Sequence, residues 1–319
     1  MKSMRSLVRV VVMTAAVLFL PALALADLTP AYWLVTPTSD WGDYGTAANW
    51  AIGAADSETH AVPTKDEYIP FVDGAVKKFD LGGDAYEIGG LSSSLTSSSG
   101  WGKMSVSNGT LKVTGWLYLV GSIDAYAGSM LSLNSSDYGR SWGKSDGFSE
   151  TVHAGATIEE CGYLTYQKFY VTIEEGGTLV FKPKTYGPHP KTEIKSYIDN
   201  SGTFYAPNGI KRNYSWDASP TKAYPGTYFY QRAGVLKLGG AVARGNQPGQ
   251  PFYFEFHGGT LEAEEGKTVT FGSDLTSAKF MEGSAMTVKA GANAVLDPES
   301  DVCGRCDADE DRCRPAGLG

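Results

Sequence analysis

Gly109-Thr110-Leu111-Lys112-Val113 decides the fold, because its pattern returns down the chain. A turn glycine, a small residue and an apolar strand start recur as Gly128-Ser129-Met130, Gly155-Ala156-Thr157-Ile158, Gly177-Thr178-Leu179 and Gly202-Thr203-Phe204. They recur again as Gly234-Val235-Leu236, Gly259-Thr260-Leu261 and Gly283-Ser284-Ala285-Met286. Successive glycines stand 19, 27, 22, 25, 32, 25 and 24 residues apart. A period in this range marks stacked repeats, and loop insertions account for the scatter.

Within each unit the residues alternate. Leu111 and Val113 flank Lys112, Leu131 and Leu133 flank Ser132, Val171 and Ile173 flank Thr172, and Leu236 and Leu238 flank Lys237. Phe252, Phe254 and Phe256 enclose Tyr253 and Glu255. Val269 and Phe271 flank Thr270, and Met286 and Val288 flank Thr287. Alternation with period two means one buried and one solvated face. No capped 3.6-residue period competes with it, so helix content is expected to be very low.

One such coil cannot bury its own apolar side chains. Stacked at about 4.8 Å per layer, coils line a continuous core. The pattern therefore predicts an all-β, single-stranded parallel β-helix, or β-solenoid, over residues 105–296. Eight coils would make a rod on the order of 40 Å long. A β-sandwich, the rival, has turns every 8–12 residues and does not require the longer Gly-Thr-Leu recurrence.

The rest of the chain divides around that block. Lys2, Arg5 and Arg9, the apolar run Val10 to Leu20, Pro21 and Ala24-Leu25-Ala26 read as a signal peptide over residues 1–26, cut before Asp27. The apolar run is too short for a membrane span, which needs roughly 20 residues. The protein is expected to be secreted or held at a cell surface, without a transmembrane segment in its mature form. Residues 27–104 are aromatic and turn-rich, and read as an N-terminal cap with the first strands. Residues 297–319 turn acidic and Cys-containing, and read as an unusual cap or the broken end of a longer protein.

Of 27 Lys+Arg, export removes three, leaving 24 against 35 Asp+Glu. That acidity disfavours nucleic acid, which needs a basic footprint. Thirty-nine glycines and a charged fraction of only 19% suit strands joined by tight turns.

Trp41-Gly42, Ala47-Ala48-Asn49-Trp50 and Val62-Pro63-Thr64-Lys65-Asp66-Glu67-Tyr68-Ile69-Pro70-Phe71 precede the coils. This opening resembles that of bacterial autotransporter-associated, adhesin-like β-helix passenger proteins, over residues 33–296. The resemblance implies a right-handed β-helix outside the cell, acting in adhesion or as a stalk, and carries over no catalytic residue. The chain departs from that group by having no C-terminal translocator barrel.

Chemistry-bearing motifs are sparse. Gly139-Arg140-Ser141-Trp142-Gly143 fits Gly-x-Ser-x-Gly, but that motif needs a strand before it and a helix after it. Both flanks here are loop-like, so Ser141 reads as a loop serine. Asp307, Asp309 and Asp311 have the spacing of a calcium loop. Arg312 and Leu318 stand where that loop needs Gly and Glu. The tail reads as a solvated charge run, with loose calcium binding as the alternative, and no cofactor is expected. Cys303, Cys306 and Cys313 allow a three-sulfur metal site, a redox pair or one disulfide, and export favours the disulfide. Cys161 stands apart. His60, His153, His189 and His257 are scattered singly and read as surface or turn residues.

Three stretches interrupt the rhythm: 137–150, 183–196 and 212–228. In a solenoid such insertions stand out as loops, where binding sites gather. Tyr214, Trp216, Tyr224, Tyr228 and Tyr230 cluster in and beside the longest, and are the candidate glycan-binding residues, since tyrosine and tryptophan join an apolar ring to a polar tip. Glycans or cell-envelope components are thus the expected partners. The leading expectation is a non-enzymatic structural or adhesive protein. The alternatives are a glycan-binding module and a polysaccharide lyase or hydrolase with its carboxylates on one face. Glu159, Glu160, Glu174 and Glu175 are the best cluster for the enzyme reading.

Overall fold

A computed structural model describes residues 28–35, 40–71, 76–93, 102–118, 121–135, 148–162, 169–183, 196–211, 226–243, 252–272, 277–281, 284–298, 303–304 and 314–315. It is a parallel β-solenoid. The only helical turn among these residues is a 3₁₀ turn at Ala47–Asn49.

Two long sheets form the walls. The first stacks eleven parallel strands, from Thr29–Trp33 through Glu67–Phe71, Ala85–Ser93 and Gly109–Tyr118 to Gly259–Ala263 and Met286–Lys289. The second runs alongside, from Trp41–Asp43 and Val76–Asp80 through Phe148–Val152, Phe169–Ile173, Ser196–Asn200 and Thr227–Gln231 to Phe252–Phe256 and Ser277–Phe280. Among the described residues a third, short sheet is formed by Ile210–Lys211, Val242–Ala243, Thr268–Phe271 and Val295–Pro298.

The seven recurring glycine units from Gly109 to Gly259 fall at or just before strands of the first sheet, in consecutive rungs, and Met286 opens the next strand. The glycines make the tight turn by which the chain leaves the second sheet and enters the first. Gly155 and Gly234 sit there at φ +74 and +62, left-handed backbone that L side chains resist. The turns also bond one another, as Gly109 N–H donates to Gly128 O and Gly155 N–H to Gly176 O, each at 2.9 Å.

Alternation places the core. Leu111, Leu131, Ile158, Leu179, Phe204, Leu236 and Leu261 form one inward ladder of the first sheet, all 5% exposed or less. Met104, Ile123, Glu150, Val171, Ile198, Phe229 and Phe254 form its counterpart on the second. Toward the C-terminal end the interior becomes phenylalanine. Phe229 and Phe254 stack at 4.7 Å and 10°, and Phe204 meets Phe229 edge-on at 5.0 Å.

Parallel rungs begin at Thr29, well before the glycine rhythm starts. The early coils lack Gly-x-Leu and are held by rings instead. Trp33, Tyr44, Trp50 and Phe79 pack together with centroids 4.7 to 5.7 Å apart. Trp50 Nε1 donates to Tyr44 O at 2.9 Å. Above them Trp50–Ile52 pairs antiparallel with Thr29–Trp33, and it is the last strand of the sheet. At the other end Met286 packs half-buried against the core, whereas Val288 is 50% exposed, because no described coil stacks beyond it. The interruptions are also shorter than the sequence suggested. Glu150, Pro183, Ser196 and Tyr228 all belong to strands.

No helix among the described residues is long and apolar enough to cross a membrane.

Candidate functional site

The outer face of the second sheet carries a column of hydroxyls. Register aligns Ser122, Ser149, Tyr170, Tyr197, Tyr228, Tyr253 and Ser277 on seven successive rungs. Each is the outward neighbour of a buried apolar or acidic residue, so the pleat fixes its direction. Four tyrosines occupy the middle, with low serines at both ends.

The tyrosines support one another. Tyr170 and Tyr197 lie 4.9 Å apart, and Tyr228 and Tyr253 stack at 4.6 Å and 22°. Tyr230, one outward position further along its strand, stacks with Tyr228 at 5.7 Å. The ring contacts within the column form two pairs, Tyr170–Tyr197 and Tyr228–Tyr253, and Tyr197 approaches Tyr230 at 6.4 Å. Burial, with Tyr170, Asp199 and Tyr230 adding to it, holds the Tyr197 hydroxyl above the ordinary phenol range. It therefore stays protonated and can both donate and accept.

Charges border the column in pairs. Arg232 lies over the Tyr230 ring at 4.5 Å, and its Nε donates to Asp199 Oδ1 at 3.1 Å. His257 Nε2 stands 3.3 Å from Glu255 Oε2 and 3.1 Å from Arg232 Nη1. A second aromatic group, Trp41, Tyr126 and His153, lies toward the N-terminal end.

Of the residues expected to bind glycan, Tyr228 stands half-buried in this face, whereas Tyr230 is buried with Arg232 over its ring. Tyr214, Trp216 and Tyr224 lie outside the described residues, as do Ser141, His189, Asp307, Asp309, Asp311, Cys306, Cys313 and the side chain of Cys303. Sequence reading missed Tyr170, Tyr197 and Tyr253. The signal was present: each is a tyrosine immediately before an inward Val, Ile or Phe at the start of a strand.

The carboxylate cluster expected on one face is divided instead. Glu159 points outward and bonds Lys182 and Ser132. Glu174 sits in a turn 3.0 Å from His153 Nδ1, and Glu175 is exposed. Glu160 points inward, two residues after Ile158, as alternation requires. It faces Glu150 of the same coil, and the two are 1% and 0% exposed. Both Glu150 carboxyl oxygens and Glu160 Oε1 lack a hydrogen-bond partner among the described residues. Burial pushes Glu150 up to about 7. Burial, and then the Glu150 carboxyl beside it, push Glu160 well above the usual carboxylate range. Lys77 is a third buried ionisable group, pointing inward over Phe71 at 5.6 Å, with burial lowering it to about 8. Neither carboxyl of the pair is at the surface, so neither is placed to meet a polymer.

Among the described residues no group of three or more His, Cys, Asp or Glu could hold a metal ion. No family model, curated protein or solved structure matches this chain.

Proposed function

We propose that the protein is a secreted or cell-surface β-solenoid without an enzymatic role, and that it acts as an adhesive rod whose second sheet contacts glycans. The observation that carries this reading is the register of Tyr170, Tyr197, Tyr228 and Tyr253 on four consecutive rungs. Rings with hydroxyl tips give contact area at low conformational cost and bond readily to a hydroxyl-rich partner. The basic start and short apolar run of residues 1–26 support export. The Asn49-Trp50 and Pro63-Thr64 opening supports kinship with adhesin-like passenger proteins.

The test is a glycan array probed with the full chain and with a Tyr197→Ala, Tyr228→Ala variant. The variant is expected to lose about tenfold in affinity or more, taking roughly 1 kcal/mol per ring contact. An array with no bound glycan sinks the glycan contact. Release of shortened sugar chains during incubation sinks the non-enzymatic reading.

A further inference from the structure

We infer that the ligand is a linear, neutral polysaccharide lying parallel to the rod axis, with one sugar unit over each tyrosine rung. This rests on the glycan reading above and names its substrate class. A single tyrosine, or a cluster at one loop, would favour a short terminal sugar. Here the rings form a line, and the line runs across the strands from rung to rung. A chain laid along one strand would meet only one or two of them.

The spacing supports the same direction. Hydrogen-bonded rungs repeat at about 4.8 Å, close to the length that one hexose adds to an extended chain. A repeating hydroxyl polymer can therefore meet Tyr170, Tyr197, Tyr228 and Tyr253 in phase, with Ser149 and Ser277 continuing the polar floor at either end. The paired rings restrict one another's rotation, so less side-chain freedom is lost on binding.

Charge decides between neutral and ionic polymers. The acidic and basic groups beside the column are bonded to each other: Asp199 to Arg232, and Glu255 to His257. Among the described residues the charged groups on the four tyrosine rungs are thus matched, and exposed Lys279 stands one rung beyond Tyr253. The chain's net charge of −8 repels a polyanion.

The experiment titrates the full chain with neutral β-1,4-glucan, β-1,4-mannan and β-1,3-glucan oligomers of two to eight units, and with polygalacturonate. Affinity for at least one neutral series is expected to rise about threefold to tenfold per added unit, then level off near four units. Tyr253→Phe keeps the ring stack and removes one terminal hydroxyl, so it is expected to lower the levelling length by one unit. Tyr197→Phe is expected to weaken every oligomer about threefold or more. Circular dichroism and melting of both variants should match the parent. Levelling at two units, or tighter binding of polygalacturonate, overturns the lengthwise neutral chain while leaving glycan binding intact. Absence of any binding overturns both.

Discussion

The coil that carries Glu150 and Glu160 and the coils built on Phe229, Phe254 and Phe256 share one backbone and differ inside. Both enter the first sheet through a glycine turn, and both send alternate residues inward. In the C-terminal coils the inward positions hold stacked rings. In the middle coil two of them hold carboxyl groups that face each other, with both oxygens of Glu150 and Oε1 of Glu160 unpartnered among the described residues. The difference teaches that the solenoid's shape comes from turn and alternation, while its stability in a given solvent comes from what each rung places in the ladder.

The largest expected effect lies in the aromatic coils. Phe254 touches Phe229, Phe252, Phe256 and Phe271 at centroid distances of 4.7 to 5.9 Å. Phe254→Ala is expected to cost about 3–5 kcal/mol in chemical denaturation. A loss below about 1 kcal/mol would mean that the rings are not what holds these coils.

The acid pair comes next, and its effect has a sign. Glu150 and Glu160 bind protons more tightly in the folded chain than in the unfolded one. Their contribution is fully present below the ordinary value of 4.5, and is lost as pH rises through about 7 and beyond. Melting temperature is thus expected to fall between pH 5 and pH 8. The Glu150→Gln, Glu160→Gln variant should flatten that slope and be the more stable form at pH 8, by on the order of a few kcal/mol. A parent whose stability rises over the same window would contradict the buried pair.

The turns sharpen the comparison further. A Cβ at Gly155 would meet Ala127 Cβ at 3.6 Å, ordinary contact, whereas one at Gly234 would meet Gly202 O at 2.0 Å. Gly155→Ala should cost only the left-handed backbone, about 1–2 kcal/mol, and Gly234→Ala distinctly more. Equal melting shifts for the two would show that the C-terminal turn relaxes freely. The smallest effect belongs to the outer face of the first sheet. Lys112 and Glu87 form an ion pair at 3.7 Å with both side chains more than 40% exposed. Lys112→Ala should change stability by about 0.2–1 kcal/mol, and a larger loss in a melting scan would contradict that estimate.

Much of the fold was legible in the chain. Each glycine unit marks a rung, because the turn favours a residue without Cβ and the strand that follows needs an inward apolar residue two or three positions on, Leu131 rather than exposed Met130 after Gly128. The start of the ladder at Thr29 was less legible, since Trp33, Trp50 and Phe79 replace the repeat with ring packing that has no fixed spacing. At the candidate site, Tyr228 and Tyr230 were singled out for their place beside a long insertion. Their companions Tyr170, Tyr197 and Tyr253 are not legible in the same way, because successive tyrosines of the column stand 27, 31 and 25 residues apart in the chain.

By itself the sequence determined the solenoid, the inward and outward faces and the very low helix content. Those follow from local rules, the permissive backbone of glycine and the two-residue pleat of a strand. Only the tertiary structure decided which outward residues share a column and which inward residues face each other. Insertions of unequal length break the sequence period, while interstrand hydrogen bonding restores a constant rung spacing. That is why four tyrosines with no common interval in the chain form one line, and why two glutamates ten residues apart meet inside the core.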